Sequence, residues 1–286
     1  MRSHVTLRPA DTVPKQALVN ALNVAYQDYY LPLNLTSGGF TDTLAREAIH
    51  LDASVVALDG AKIVGTGFLG ARAPRGWIGG VGVVPAYRRR GIARALMEYL
   101  LDQARRLGLH SVQLEVITAN GPAYALYRSL GFVRQRRLLI LKHRPGQRPA
   151  SRSQAGLPAC QAYPAEELLR LLHTVDTVPR AWSREPASLL PFAHRFQGLV
   201  ALHAEGDQPV GACLYAAHPF QVGIVALAGD SGAGTALLHA LHNAHPEATR
   251  TYLNVPAEDP LLPELFQAGY RETLSQFEMH CKTGVN

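Results

Sequence analysis

The chain has 286 residues, 47% hydrophobic and 17% charged, with a formal net charge of +6; a composition this apolar, without low-complexity runs, excludes a disordered chain and allows two compact domains. No apolar run reaches the about 18 residues of a membrane span and the start, MRSHVTLRPAD, lacks an apolar signal region, so a soluble, cytoplasmic protein with no membrane partner is expected. The three cysteines, Cys160, Cys213 and Cys281, are too few and scattered for a disulfide framework or a zinc site, and read as free thiols.

In chain order, helical patterns at about 14–25 and 41–50 mix with strand-like runs at Val5 to Leu7, Ser54 to Leu58, Lys62 to Leu69 and Trp77 to Val84. The helix that starts at Gly91 is the clearest: Ile92, Leu96, Tyr99, Leu100 and Leu107 recur at helical spacing, while Arg94, Glu98, Asp102, Arg105 and Arg106 fill the other faces. A strand at Val112 to Ile117, a short helix at 121–130 and a strand at Phe132 to Leu141 complete this half. PGQRPASRSQAGLPA has the composition of a linker, which divides the chain into domains 1–145 and 159–286 joined by 146–158. Beyond it, strands are expected at Leu199 to Ala204, Val210 to Ala216, Val222 to Leu227 and Thr251 to Val255. A helix is expected at about 233–244, and a short helical piece ends at Gly269-Tyr270. Leu130-Gly131-Phe132 is echoed by Ala268-Gly269-Tyr270, and Arg88 to Ala93 by Gly229 to Gly234, a divergent tandem repeat.

Charge separates the halves. Residues 1–145 carry 19 Lys/Arg against 9 Asp/Glu, a net +10, and residues 157–286 carry 7 against 13, a net −6. A polyanion on the first half is the natural partner. Nucleic acid is not expected, because the tight cluster Arg88, Arg89, Arg90 lies in a glycine turn and not along a stripe interleaved with aromatics. His239, His242 and His245 have no accompanying Cys or carboxylate in a metal-binding pattern, so they read as a helix surface and no metal is expected.

The stretch GWIGGVGVVPAYRRRGIARAL is the most informative. Gly79, Gly80 and Gly82 inside a strand suggest a bulge or a close approach of ligand to backbone, and Pro85 ends the strand. The turn Arg88 to Ala93 then opens a helix whose N-H groups and dipole converge where small residues admit a pyrophosphate. Downstream, LEVITANGPAYALYRSLGF puts Glu115 on a strand, Asn120 at its end and Tyr127 on the short helix.

The two stretches together resemble the GNAT-type acetyltransferase superfamily, whose signature is Gln/Arg-x-x-Gly-x-Gly/Ala followed by Asn-x-x-Ala-x-x-Leu-Tyr-x-x-x-Gly-Phe. The resemblance is firm over about 53–142 and only in outline over the second half. It implies an α/β fold of two GNAT-like domains in tandem, each a mostly antiparallel twisted sheet flanked by helices, the first intact and the second degenerate. It implies acetyl-coenzyme A as co-substrate, with the main chain of Val83 and Val84 on the pantetheine and Arg88, Arg89, Arg90, Gly91, Ile92, Ala93 and Arg94 around the pyrophosphate. Asn120 would hold the cofactor arm, and Tyr127 would protonate the departing thiolate. Glu115 matches the base of the family's protein N-terminal acetyltransferases, and reads equally as a group that orders a water or pairs with an arginine. Tyr26, Asp28, Tyr29 and Tyr30 fall where the family lines its acceptor pocket. An N-acetyltransferase acting on a small-molecule or peptide amine is the function implied, with a non-catalytic acetyl-coenzyme A binder or sensor as the alternative. In the second half, Asn120 is matched by Glu258, Tyr127 by Leu265 and Glu115 by Leu253, so one cofactor per chain is expected.

Overall fold

A computed structural model describes residues 5–31, 33–146, 156–175, 178–203, 206 and 208–284. Most of the expected linker, 147–155, lies outside them. The chain forms two compact units, Met1–Gln135 with Phe277–Asn286, and Arg136–Gln276. These bounds differ from a division at 145 and 159. Residues 277–282 count with the first unit and 136–143 with the second, because strand pairing, which composition does not report, places β12 beside β5 and β6 beside β11.

The first unit runs β1 (Val5–Pro9), α1 (Lys15–Ala25), α2 (Ser37–Arg46), β2 (Ile49–Asp59), β3 (Lys62–Arg72), β4 (Arg75–Val83), α3 (Ile92–Arg106), β5 (Ser111–Ile117) and α4 (Gly121–Ser129). Strands β1 to β4 form an antiparallel meander and β5 joins β4 in parallel. Alternation along β2 shows how the sheet is covered. Val55 and Ala57 point into a core with α3, and Val56 and Leu58 into a second core with α1, α2 and Phe68. The buried stripe of α3 is Ile92, Leu96, Met97, Leu100, Leu101 and Ala104, the spacing of one helical face; Leu107, expected on it, caps the helix and is exposed. The helix expected at 41–50 lies earlier, at Ser37–Arg46, with Thr36 Oγ1 accepting from Gly39 N–H at its start.

The second unit runs from Arg136 of β6 (Val133–His143) through β7 (Ala159–Tyr163), α5 (Ala165–Val175), α6 (Pro186–Leu189), β8 (Gln197–Leu202), β9 (Pro209–His218), β10 (Gln221–Gly229), α7 (Ser231–Ala244), β11 (Thr249–Pro256) and α8 (Leu262–Gln267) to Gln276 of β12 (Arg271–Lys282). Strands β7 to β10 are antiparallel neighbours, β11 joins β10 in parallel, and β6 closes on β11. The first unit has the same pattern of four antiparallel strands and then a parallel fifth. The repeat read from sequence is thus a structural one. Phe132 N–H bonds to Tyr127 O and Tyr270 N–H to Leu265 O at equivalent helix ends, each after a glycine of positive φ, Gly131 at 89° and Gly269 at 95°.

The histidine run on α7 is not simply a surface. His242 packs at 4.6 Å between ring centroids from His143, its Nε2 lies 3.3 Å from the Tyr270 hydroxyl, and burial holds its pKa down at about 3. Beside them Arg250 is 1% exposed, bonded to His143 Nδ1 and to the carbonyls of His242, His245 and Ala248. The guanidinium therefore caps the C-terminal end of α7, where carbonyls lack helical partners and the dipole is negative. Among the described residues no group of His, Cys, Asp and Glu could hold a metal, and no helix is long and apolar enough to cross a membrane.

Candidate active site

Strands β4 and β5 pair only over Arg75, Gly76 and Trp77, opposite Ser111, Val112 and Gln113. Beyond Trp77 they separate. A groove of about 570 Å³ opens there, lined by the end of β4, the turn into α3 and the start of α4.

The main chain of β4 supplies one wall. Tyr26 Oη donates to Val81 O at 3.1 Å and Arg88 Nε to Val83 O at 3.1 Å, so the carbonyls of Val81 and Val83 point away from β3. In an antiparallel ladder the N–H of such a residue points the same way, toward the groove that both residues line. Val84 instead donates its N–H to Val64 O at 3.0 Å. Of the two residues expected to pair with a pantetheine arm, Val83 lines the groove and Val84 turns its amide to β3; Val81 also lines the groove.

The turn supplies the floor. Arg89 and Gly91 have φ of 62° and 82°, so successive N–H groups curl inward as in an anion nest. The first intrahelical bond of α3 is Ala95 N–H to Gly91 O, which leaves the N–H groups of Ile92, Ala93 and Arg94 ahead of it. No side chain caps this helix. A Cβ at Gly91 would meet nothing within 4 Å, so the glycine serves the left-handed backbone and the open approach and relieves no internal clash.

The arginines divide. Arg89 and Arg94 line the groove, and Arg94 also bonds Ser129 Oγ at 2.7 Å. Arg88 lines it too, but its guanidinium grips both oxygens of Asp28 at 2.6 and 2.7 Å and the Ala25 carbonyl, tying the end of α1 to the turn. That bond holds the Asp28 carboxyl below its ordinary pKa and commits Asp28 to Arg88. Arg90 lies over the Tyr87 ring at 5.1 Å and bonds Ala86 O, away from the groove lining. The three adjacent arginines therefore have three different duties, which their spacing alone cannot tell.

Asn120 caps α4, its Oδ1 accepting from Ala123 N–H at 3.3 Å, and its amide also meets the Tyr29 hydroxyl. Tyr30 Oη donates to Ala119 O at 3.0 Å, so the segment after α1 is fastened to the β5–α4 turn. Tyr26, Tyr29 and Tyr127 gather their hydroxyls here. Tyr127 lines the groove at 8% exposure, and burial, with Tyr29 second, pushes its pKa well above the phenol range. It keeps its proton at neutral pH, as a hydrogen-bond and proton donor must.

Glu115 lies on β5 past the point of separation, half-buried, its Oε2 accepting from Trp77 Nε1 at 2.8 Å. The glycines of β4 are explained by side chains. A Cβ at Gly79 would fall 1.9 Å from the Trp77 indole, at Gly80 2.5 Å from Phe68, and at Gly82 2.8 Å from Tyr26. Gly80, with φ of 59°, also sits where the β3–β4 register shifts. The bulge is present; the room the glycines make is filled by aromatic rings.

The second unit has the same frame with its groove edge taken. Beyond Ile224 and Tyr252, the last pair of β10 with β11, Leu227 donates its N–H to Tyr252 Oη at 3.1 Å and its carbonyl accepts from Arg180 Nη2 at 2.6 Å. Arg180 also bonds Tyr252 Oη and lies 3.6 Å from Asp259, both side chains under 10% exposed. At the head of α7, Asp230 Oδ1 accepts from Ala233 N–H at 2.8 Å, a carboxylate where α3 has none. Aligning the two halves identifies the missing residues but carries no signal for Arg180, whose partners Leu227 and Tyr252 are 47 and 72 residues away.

Comparison with known proteins agrees with this geometry. Residues 16–132 match the model of the acetyltransferase (GNAT) family. The first unit belongs to that family. A 52-residue stretch, 18% of the chain, is 46% identical to the [ribosomal protein bS18]-alanine N-acetyltransferase of Escherichia coli strain K12, and 54 residues, 19% of the chain, are 57% identical to the N-alpha-acetyltransferase RimI of Mycobacterium tuberculosis. The chain spans about a third of each, 35% and 32%. A tandem GNAT protein from the clavulanic acid biosynthesis pathway superposes with a TM-score of 0.71 at 17% identity, covering 98% of this chain and 99% of its own. A GCN5-related N-acetyltransferase from Sphaerobacter thermophilus gives 0.70 at 13% identity, covering 98% and 96%. The fold of the whole chain is that of a tandem GNAT protein.

Proposed function

We propose that this chain is an N-acetyltransferase that binds one acetyl-coenzyme A, in the first unit, and moves its acetyl group to an amine of a small molecule or peptide. The observation that carries the reading is the groove where β4 and β5 part, because it offers edge amides to an extended amide-bearing arm and an uncapped helix start to a pyrophosphate in one continuous line. Val81 and Val83 suit the arm, the N–H groups of Ile92 to Arg94 the phosphates, and Arg89 and Arg94 their charge. Bound acetyl-coenzyme A supplies the thioester. The amine acceptor is mostly ammonium at neutral pH, and Glu115 takes its proton directly or through water. Tyr127 holds the proton that the leaving sulfur needs, kept neutral by its burial.

A single cofactor per chain follows from the second unit. Arg180 and Tyr252 occupy the β10 edge, and Asp230 both occupies the α7 start and repels a pyrophosphate. Calorimetric titration of the chain with acetyl-coenzyme A should give one site. Thiol release across amino acids, aminoglycosides, polyamines and peptide N-termini then identifies the acceptor; binding without release on any amine would favour a sensor.

A further inference from the structure

The last strand of the chain brings two titratable groups to Glu115. Residues 277–282 of β12 belong to the first unit and lie next to β5. Thr283 N–H donates to His110 O at 3.1 Å. In an antiparallel ladder such a bond joins residues directly opposite, and it sets the register of the pairs that follow. Val112 then faces Cys281, Leu114 faces Met279 and Val116 faces Phe277. All six pack in the α3 core, as one face of a two-stranded ladder must.

The alternate residues face the other way. Gln113 is opposite His280, and Glu115 is opposite Glu278. Counted from the bonded pair 110 and 283, Glu115 and Glu278 form a non-hydrogen-bonded pair, the kind whose side chains approach more closely, with Cβ atoms about 4.5–5.5 Å apart. Glu278 is 4% exposed, and its Oε1 lies 3.1 Å from His280 Nε2, on a ring more than a third exposed. Arg75 on β4, 3.5 Å from Gln113 Oε1, Arg72 opposite it on β3, and Lys282, opposite Ser111, are charged groups on this same face. Trp77 donates to Glu115, and Tyr29 and Tyr30 reach the far end of β5 at Asn120 and Ala119.

Like charges opposite each other on one face of a sheet are unfavourable, and two close carboxylates bind a first proton more tightly than either would alone. We propose that Glu115 and Glu278 act as one base, with Glu278 the positioning residue that raises the proton affinity of Glu115 and His280, bonded to Glu278, the group that limits the rise. The reaction step is a single transfer. An N–H bond of the acceptor's ammonium breaks, the proton passes to the Glu115 carboxylate, and the electron pair stays on nitrogen, which becomes the nucleophile. Only the identity of that proton donor rests on the acetyltransferase reading. The indole N–H lowers the proton affinity of Glu115 and the second carboxylate raises it; the second effect is the one that moves it toward the neutral range where a general base works best.

Carbon-13 NMR of glutamate carboxyls in the intact chain, with the Glu115 signal assigned by Glu115→Gln, follows the pair with neither acceptor nor acetyl-coenzyme A present. Glu278→Gln removes the charge and keeps an acceptor for His280, and the Glu115 midpoint is expected to fall by about one pH unit. His280→Gln removes the imidazole bonded to Glu278, and the midpoint is expected to rise. Opposite shifts from two adjacent residues are not what loss of packing produces. A midpoint unmoved by both variants overturns the proposal, and His280→Gln decides it alone if Glu278→Gln does not fold. The acidic limb of the kcat/KM profile for acetyl transfer should move with the same signs while KM for acetyl-coenzyme A holds. NMR shifts in a chain that acetylates no amine would leave the carboxyl pair standing and sink the enzyme reading. Turnover without any shift would sink the pair alone.

Discussion

Acid should weaken the second unit through His242, by an amount the structure sets. Its imidazole, packed against His143 and Tyr270, is held by burial at a pKa of about 3, with Arg250 adding to the depression. An unfolded histidine titrates near 6.5. Above that pH neither state is protonated and His242 has no effect. Below it the unfolded chain binds a proton that the native state refuses, so stability falls with pH, until the native ring also protonates near pH 3. Between pH 8 and pH 5 the linkage integral gives about 2 kcal/mol, a figure that any native pKa below about 4 leaves nearly unchanged and that partial solvent access to the ring therefore hardly alters. His242→Gln keeps a polar partner for the Tyr270 hydroxyl and does not titrate. Trp182, fully buried in the second unit, becomes the sole tryptophan in a Trp77→Phe background, since the chain has two. Urea unfolding followed by its fluorescence at pH 8 and pH 5 should show the pH-dependent loss shrinking by about 2 kcal/mol in the Gln variant. Equal losses in the two proteins would refute the buried neutral histidine.

Tyr127→Phe should lower turnover about 10²-fold, the scale of one lost proton-transfer group, with acetyl-coenzyme A affinity by calorimetry almost unchanged. Gly91→Glu places a carboxylate at the helix start and a side chain at φ of 82°; affinity for acetyl-coenzyme A should fall below detection, while thermal unfolding shows only the about 1–2 kcal/mol of left-handed strain, since a Cβ there meets nothing. Arg250→Met should cost the second unit at least about 3 kcal/mol in urea unfolding by leaving the buried carbonyls of the α7 end without a donor. Asp28→Asn should leave thermal unfolding almost unchanged, because the Arg88 pair is about half exposed, but should loosen the segment that carries Tyr29 and Tyr30, read as a raised acceptor KM with acetyl-coenzyme A binding intact.

Local chemistry was legible in the sequence wherever a residue's neighbours along the chain decide its role. Gly91 needs a left-handed backbone because a strand stops at Pro85 and a helix starts at Ile92, and the chain states both facts within eight residues. Asn120 caps α4 and Tyr127 faces the groove for the same reason, since one helical turn fixes each. The repeat was legible because Gly131 and Gly269 end equivalent helices in the same way. The tertiary structure decided what depends on partners distant in sequence. Arg88 is taken by Asp28, 60 residues away, and the room at Gly79, Gly80 and Gly82 of β4 is filled by Trp77, Phe68 and Tyr26. Arg180 closes the β10 edge from 47 residues away. Glu278 and His280 were the furthest out of reach: the alternation of Phe277, Met279 and Cys281 with them marks a strand, but only pairing with β5 places them in the first unit. The period of a strand says which residues share a face, and it cannot say which strand lies beside it.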